Sequence, residues 1–230
     1  MIAVVTGSTS GIGEAITSAL TNRRNKVVAV GRSANDKYAP SELIYPFSCD
    51  LTVDGEIEKI LEYSLSELGA VDAVFVNAGV IESGDIENVD IDKICSMVRL
   101  KVESGFRLVY TFAKYFKSKG RGHIFITSSV LGTKTRESSG AYAGCNYALE
   151  ALAEALRMEL SDTDVKITCI EPGLVQTNLH SEWDVHPKEL LNISHALQPQ
   201  DIADAVIEVL EKPDHIRIPR IMILPKGHAI

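Results

Sequence analysis

The sequence lacks the features that nucleic-acid-binding and membrane proteins need. No lysine- or arginine-rich block stands out among its 230 residues, and the net charge is −8. Because phosphate groups are recognised by basic surfaces, we expect neither a nucleic-acid partner nor an anionic membrane partner. No apolar run approaches the roughly 20 residues that a transmembrane helix needs. The absence of both features directs attention to small-molecule ligands.

Cysteine is also scarce, and its spacing excludes a disulfide framework. The four residues Cys49, Cys95, Cys145 and Cys169 lie far apart, without a C-x-x-C pair. Each falls in a stretch that is typical of a helix or strand, so we expect small buried thiols and no metal site. The chain begins with Met-Ile-Ala-Val-Val, which is already a strand pattern and leaves no room for a signal peptide. These features predict a cytoplasmic protein.

Short apolar runs alternate with amphipathic segments along the chain. The runs are rich in valine and isoleucine and lack polar alternation, which is typical of parallel strands buried on both faces. Predicted strands cover residues 2–5, 26–30, 43–47, 73–76, 123–127, 166–170 and 221–224. Predicted helices cover residues 12–22, 55–68, 89–117, 141–160 and 201–210. The pattern predicts a single α/β domain over residues 1–230, with a doubly wound parallel sheet of seven strands.

One long irregular segment, residues 179–197, interrupts this pattern. A loop of that length in a compact domain is usually functional, so we predict a substrate loop. Trp183 could form an apolar lid and the histidines could meet a polar substrate, although scattered surface histidines are the alternative. The candidate residues of this loop are His180, Trp183, Asp184, His186 and His195.

A glycine-rich turn follows the first predicted strand and precedes the first predicted helix. Its sequence is Thr-Gly-Ser-Thr-Ser-Gly-Ile-Gly, with the spacing G-x-x-x-G-x-G. Glycines allow the backbone to turn sharply and approach a pyrophosphate, and the helix N-terminus supplies N–H donors. An ordinary strand–helix turn is the alternative, but the position after the first strand favours a nucleotide site. The predicted binding residues are Gly7, Ser10, Gly11, Ile12 and Gly13.

Three further motifs follow later strands in order. They are Cys-Asp-Leu at Asp50 and Leu51, Asn77-Ala78-Gly79, and Pro172-Gly173 with Thr177 four residues on. Together with T-G-x-x-x-G-I-G, they resemble the short-chain dehydrogenase/reductase family over almost the whole chain. The resemblance implies a Rossmann-type fold, an aspartate beside the adenine ring, and cofactor contacts at the two later motifs. A helix cap at Asp50 and an ordinary turn at Pro172-Gly173 are the alternatives.

The end of the second strand bears on the choice of cofactor. The segment Val-Gly-Arg-Ser places Arg32 there, and no acid precedes Asp36. An acid suits the ribose hydroxyl of NAD, whereas an arginine suits the 2′-phosphate of NADP. We therefore expect NADP(H) rather than NAD(H), with a plain surface arginine as the alternative.

The resemblance also implies a catalytic pair. Tyr142 lies thirteen residues after Ser129, and in the family this serine orients the substrate oxygen while the tyrosine exchanges a proton with it. Ser128 is the neighbouring alternative. A tyrosine has an ordinary pKa of about 10 and needs a nearby positive charge to act near neutrality. The family supplies that charge from a lysine four residues after the tyrosine.

Here Asn146 occupies the lysine position, and Lys101 occupies the position of the family's helical asparagine. We predict that the two groups have been exchanged, with Lys101 supplying the cation and Asn146 holding a ribose hydroxyl or a water. Loss of a charge about 4 Å away would cost about 4 kcal/mol at an effective dielectric constant near 20. A solvated Lys101 is the alternative, because its helix carries several other basic residues. These are Lys93, Arg99, Arg107 and Lys114.

The sequence thus predicts an oxidoreductase that interconverts a carbonyl compound and an alcohol. A catalytically silent nucleotide-binding protein and a dehydratase with a structural cofactor are the alternatives. The resemblance implies a homodimer or homotetramer. The tail at residues 218–225 departs from the family's glycine-rich ending and leaves the oligomer geometry open.

Overall fold

The chain forms a seven-stranded parallel sheet with helices on both faces, which confirms the predicted Rossmann-type fold class. The computed structural model describes residues 1–181, 183 and 187–230. Two of the candidate residues of the predicted substrate loop, Asp184 and His186, lie outside the described residues. Counted along the chain, the strands lie side by side in the order third, second, first, fourth, fifth, sixth and seventh.

All seven predicted strands are present, with ends that differ by a few residues. They are β1 Ile2–Thr6, β2 Lys26–Gly31, β3 Ile44–Ser48, β4 Ala73–Val76, β5 Arg121–Thr127, β6 Asp164–Pro172 and β7 Arg220–Ile223. The α-helices are α1 Gly11–Asn22, α2 Ala34–Lys37, α3 Glu56–Leu68, α4 Ile91–Val98, α5 Gly105–Lys119, α6 Gly140–Glu159, α7 Pro187–Leu190 and α8 Pro199–Leu210. Short 3-10 helices occupy Val130–Gly132 and Asn178–His180.

Successive residues along the central strands point to opposite faces of the sheet and pack into two separate hydrophobic cores. Val4 and Val28 face the layer formed by α3, α5 and α6, whereas Ala3 and Val27 face the layer formed by α1 and α8. The direction of winding reverses between β1 and β4, which are hydrogen-bonded neighbours. In open α/β sheets, ligands bind at the C-terminal ends of the strands at such a reversal. The fold therefore places the candidate site there.

The predicted helix over residues 89–117 is interrupted, which corrects the sequence analysis. A π-helical segment, Arg99–Ser104, separates α4 from α5. The Ser104 hydroxyl donates hydrogen bonds to the Leu51 carbonyl at 2.9 Å and to the Arg99 carbonyl at 3.1 Å. Segments of this kind occur often at functional sites. Lys101 lies within it and is only 7% exposed.

Two smaller expectations are also corrected. Cys95 is exposed rather than buried, because α4 buries Met97 and leaves Cys95 on its solvent side. The loop 179–197 is not wholly irregular, since its described part includes the end of one 3-10 helix and all of α7. A β-bridge between Val175 and Leu197 joins its two ends.

Two buried carboxylates and a partly exposed arginine fasten α6 to the edge of the sheet. Glu150 of α6 is 5% exposed, and Glu171 of β6 is fully buried. Both carboxylates face Arg220 of β7, whose Nη2 lies 3.0 Å from Glu150 Oε2 and whose Nε contacts Glu171. Burial and the charge of Glu150 raise the pKa of Glu171 to about 7, although Arg220 acts in the opposite direction.

This raised pKa predicts how stability depends on pH. The native state binds the Glu171 proton more tightly than the unfolded chain, whose reference pKa is 4.5. The contribution of the Glu171 proton to the free energy of unfolding is therefore largest at low pH, and it is lost as the pH rises from the unfolded to the folded pKa. Replacing Glu171 with Gln removes this pH-dependent contribution. Across that interval the free energy of unfolding of the variant should therefore rise by about 1 to 3 kcal/mol relative to that of wild type.

Urea unfolding of both proteins at about pH 5 and about pH 8 measures this change. Glu154→Gln is the control, because Glu154 is an exposed glutamate of α6 and should leave the pH dependence unchanged. Parallel pH curves for wild type and Glu171→Gln would contradict the assignment.

Candidate active site

The glycine-rich turn closes tightly between β1 and α1. Gly7 and Gly11 adopt φ values of 64° and 53°. A Cβ on Gly13 would overlap the Gly7 carbonyl oxygen and would lie 2.7 Å from the Asn77 amide nitrogen. Ser10 is the N-cap of α1 and makes no side-chain capping hydrogen bond. The turn therefore presents bare backbone at a helix N-terminus, which fits a pyrophosphate group.

Neighbouring strands hold this turn in place. The Ser8 hydroxyl donates to the Val30 carbonyl at 3.1 Å, and the Tyr38 hydroxyl donates to the Ser8 carbonyl at 2.5 Å. Asn77 donates from Nδ2 to the Thr6 carbonyl at 3.1 Å. Its Oδ1 accepts from the Thr127 hydroxyl, also at 3.1 Å. The Asn77 side chain therefore links β1, β4 and β5 and shapes the predicted site.

The predicted adenine end lies at the ends of β2 and β3. Asp50 Oδ1 accepts from the Thr52 amide at 2.9 Å and from its hydroxyl at 2.7 Å. These bonds hold the pKa of Asp50 below its usual value, and the nearby charge of Arg32 lowers it further. Asp50 thus closes a turn with Thr52 and is not the N-cap of α3, which is Gly55. Arg32 is exposed, and Leu51 is 8% exposed.

The Pro172-Gly173 segment closes over the glycine-rich turn from the other side. Gly173 donates from its amide to the Ile223 carbonyl at 2.7 Å. The Thr177 methyl carbon lies 3.1 Å from the position that a Cβ on Gly11 would occupy. Two of the predicted motifs, distant in sequence, therefore meet across one cleft.

The tail contributes a residue that the sequence analysis missed. A Cβ on Gly173 would lie 2.6 Å from Nδ1 of His228. Burial lowers the pKa of His228, with a smaller effect in the same direction from Arg136. No motif marks this histidine, because its place beside Gly173 depends on how the chain turns after β7.

The two candidate serines follow β5 and have different surroundings. Ser129 is 8% exposed, and its hydroxyl oxygen accepts from the Leu131 amide at 3.1 Å as the cap of a 3-10 helix. Ser128 is 3% exposed, and its hydroxyl has no hydrogen-bond partner among the described residues.

Lys101 lies against the candidate tyrosine. Its Nζ is 5.3 Å from the centre of the Tyr142 ring and 3.2 Å from where a Cβ on Gly79 would stand. Tyr142 itself is 9% exposed. Within the described part of the chain, no carboxylate forms a salt bridge with Lys101. The solvated-lysine alternative is therefore wrong, and the amine lies between the Asn-Ala-Gly turn and the tyrosine.

Asn146 lies one turn below Tyr142 and is fully buried. Its Nδ2 donates to the Tyr142 carbonyl at 2.8 Å, while its Oδ1 has no partner among the described residues. The oxygen can therefore bind a further group, which must be a hydrogen-bond donor, and the second N–H of Nδ2 can donate to an acceptor.

A cleft of about 510 Å³ opens beside the start of α6. Its walls come mainly from residues 82–89 and 137–141, which end next to Tyr142. Hydrogen bonds join the walls, from the Gly84 amide to the Ser138 carbonyl at 2.8 Å and from the Ser138 hydroxyl to Asp85 at 2.5 Å. A small molecule in this cleft would lie close to the tyrosine.

Among the described residues, no group of three or more His, Cys, Asp or Glu side chains is arranged to hold a metal ion. None of the described helices has the length and apolar character needed to cross a membrane.

Comparison with known proteins agrees with this geometry. The family model described as short chain dehydrogenase matches residues 1–188. An uncharacterized oxidoreductase of Staphylococcus aureus is 30% identical, and the alignment covers 97% of this chain and 96% of that protein. A relative described in the same words from Staphylococcus epidermidis is 29% identical with the same coverage.

Solved structures share the fold. An alcohol dehydrogenase from the archaeon Thermococcus sibiricus, complexed with 5-hydroxy-NADP, superposes with a TM-score of 0.86. It is 25% identical, and the match covers 100% of this chain and 98% of that one. A serine dehydrogenase complexed with NADP+ gives a TM-score of 0.90 at 23% identity, covering 100% and 97% of the two chains. The glycine-rich turn, the strand order and the family match lead to one conclusion: the chain belongs to the short-chain dehydrogenase family of oxidoreductases, which bind a nicotinamide cofactor.

Proposed function

We propose that this protein is an NADP(H)-dependent oxidoreductase that interconverts a small ketone or aldehyde and the corresponding alcohol. The observation that carries the proposal is the buried Lys101 amine beside the ring of Tyr142. A cationic amine buried without an acidic partner is costly, and it is rarely retained without a function. The bound nicotinamide supplies or accepts the hydride.

Different residues of the chain bind the different parts of the cofactor along the cleft. The glycine-rich turn and the start of α1 bind the pyrophosphate, and Arg32 binds the 2′-phosphate. Asp50 and Leu51 flank the adenine. The nicotinamide end is held by Asn77, Ala78, Gly79, Pro172, Gly173 and Thr177.

Ser129 and Tyr142 act on the substrate oxygen. The Ser129 hydroxyl orients the oxygen, and Tyr142 donates its proton to it during reduction and removes a proton during oxidation. Lys101 favours the tyrosinate form and so lowers the free energy needed for that exchange. Asn146 contributes its free oxygen, which orders a donor such as water below the tyrosine.

The remaining proposals concern the surroundings of the site. Residues 179–197 form the substrate loop, in which the rings of His180 and Trp183 pack edge to face at 4.9 Å. The tryptophan acts as an apolar lid. Family resemblance supports a homodimer or homotetramer that works in the cytoplasm.

Replacing Lys101 tests the proposed catalytic group. Lys101→Ala should lower kcat by about a hundredfold, because a charge 5.3 Å from the centre of the tyrosine ring is worth about 3 kcal/mol at an effective dielectric constant near 20. Cofactor affinity should change by a few-fold at most. Steady-state kinetics on a panel of ketones and aldehydes, together with NADPH fluorescence titration, measures both quantities.

A double variant sharpens this test. Lys101→Asn and Asn146→Lys should each be impaired, whereas the two together restore the family arrangement and should recover much of the lost rate. Lys114→Ala is the control, because Lys114 is exposed on α5. A Lys101→Ala enzyme with wild-type turnover would contradict the exchange. Wild-type protein that binds NADPH without reducing any carbonyl compound would favour the silent nucleotide-binding alternative.

Replacing Arg32 tests the choice of cofactor. Arg32→Ala should weaken NADPH binding about tenfold to a hundredfold and leave NADH binding nearly unchanged, because a charge-assisted bond to the 2′-phosphate is worth about 1.5 to 3 kcal/mol. Calorimetric titration with each cofactor gives both constants. Arg24→Ala, which removes another exposed arginine, is the control. Equal losses for both cofactors would refute the assignment.

A further inference from the structure

We propose that Glu150 and Glu171 hold one proton between them in a polar pocket behind Tyr142, and that this pair resupplies the tyrosine through Asn146 and Ser128. The proposal rests on the proposed function, because the tyrosine needs a proton source only if it acts as acid and base. Glu150 and Glu171 are positioning residues and do not touch the substrate.

The pocket begins on one face of α6. Tyr142, Asn146 and Glu150 follow one another at intervals of four residues, which places them on the same side of a helix. All three are at least nine-tenths buried against the sheet. The helix therefore carries a polar line from the tyrosine into the interior.

The sheet presents matching groups opposite this line. β5 and β6 pair in register up to Thr127 and Ile170, and the Ser128 amide continues the pairing with a 2.8 Å bond to the Ile170 carbonyl. The next residues, Ser128 and Glu171, therefore lie side by side on one face, since adjacent strands are about 4.8 Å apart.

Gly132 marks the point at which these groups meet. A Cβ at this position would overlap the Ser128 hydroxyl, and it would lie 3.1 Å from Cγ of Glu150 and 3.5 Å from Cβ of Asn146. The absence of a side chain at Gly132 allows the Ser128 hydroxyl, Glu150 and Asn146 to approach the same point between the helix and the sheet. The serine, the amide and one carboxylate thus border a common space.

The polar atoms around this space are not satisfied by the protein. Among the described residues, the Ser128 hydroxyl, Asn146 Oδ1 and Glu150 Oε1 are buried and have no hydrogen-bond partner. Buried polar groups rarely lack a hydrogen-bond partner, and all three of these groups can accept hydrogen bonds. A proton on the carboxyl pair and an ordered water would supply the missing donors.

The charges around the pair favour one proton. Arg220 of β7 faces both carboxylates directly. Arg157 of α6 is directed to the Pro219 carbonyl at 3.1 Å, and Cys169 of β6 stays neutral because burial raises its pKa to about 12. Two carboxylates thus share one close cation, and a single proton balances the charge.

The proton steps balance as follows. In reduction, the Tyr142 O–H bond breaks as the substrate alkoxide, formed by hydride addition, takes the proton. The tyrosinate then takes a proton from water held by Asn146 and Ser128, and that water takes one from the carboxyl pair. The pair regains its proton from solvent at the sheet edge, where the Arg220 side chain is 41% exposed. Oxidation runs these steps in reverse.

Infrared spectroscopy of the wild-type protein tests the shared proton. A carbonyl band of a neutral, buried carboxylic acid should be present near pH 7 and should be lost in Glu171→Gln. The same band should persist in Glu154→Gln, which replaces an exposed glutamate of α6. Absence of the band from wild type would overturn the shared proton.

The pH profile of kcat for carbonyl reduction tests the supply of protons to Tyr142. Wild-type kcat should fall as the pH rises through the pKa of about 7. Glu171→Gln should lack this limb and be roughly tenfold slower, with an unchanged KM for NADPH and a larger solvent isotope effect. Glu171→Asp should retain the limb. A merely structural role would leave the limb in place, and a Glu171→Gln profile with the wild-type limb would overturn the relay.

Two further outcomes are informative. If Glu171→Gln does not fold, Glu150→Gln removes the other carboxylate and is judged by the same band and the same limb. If wild type reduces no carbonyl compound, the proposed function fails, and the infrared band alone decides whether the pair shares a proton.

Discussion

The contact between the Lys101 amine and the Tyr142 ring is the interaction on which the proposed chemistry of this site depends. A tyrosine with its ordinary pKa of about 10 is a slow acid–base group at neutral pH, so a cation must lie close to it. In this chain the cation arrives from the segment between α4 and α5 rather than from α6. The π-helical turn brings Lys101 to a buried position, whereas Arg99 and Arg107 beside it are exposed.

Much of the framework could be predicted from the sequence, because it depends on local signals. Continuous valine and isoleucine runs indicate strands that are buried on both faces, and all seven are present. At Gly7 and Gly13 any side chain would collide with the backbone or with Asn77. The spacing of these glycines in the sequence therefore predicts the turn. Lys101 and Asn146 could be singled out because each departs from a position that the family fills differently. The roles given to them remain predictions.

Other features depend on contacts between distant residues and could not be predicted. Helical periodicity runs through residues 89–117, and the interruption at Arg99–Ser104 involves a hydrogen bond from Ser104 to Leu51, which is 53 residues away. The ion pair between Glu150 and Arg220 joins residues 70 apart, at the far edge of the sheet. In the sequence, Glu150 and Arg220 have the pattern of ordinary surface charges. The burial of Glu150 follows only when β7 is placed beside β6 under α6.

The buried position of Lys101 and the polar groups behind Tyr142 have a physical connection. When the cation enters from the side of β4, the position one turn below Tyr142 is left to a shorter, neutral side chain, Asn146. Its Nδ2 donates to the Tyr142 backbone carbonyl, and its Oδ1 has no partner among the described residues. An unpaired buried acceptor requires a donor, and in the proposed relay the neighbouring carboxyl pair provides one through water while it holds a proton. The proposed exchange of the lysine and the asparagine would therefore account for the unpaired polar atoms behind the tyrosine, next to the two carboxylates and the arginine that fasten α6 to the sheet.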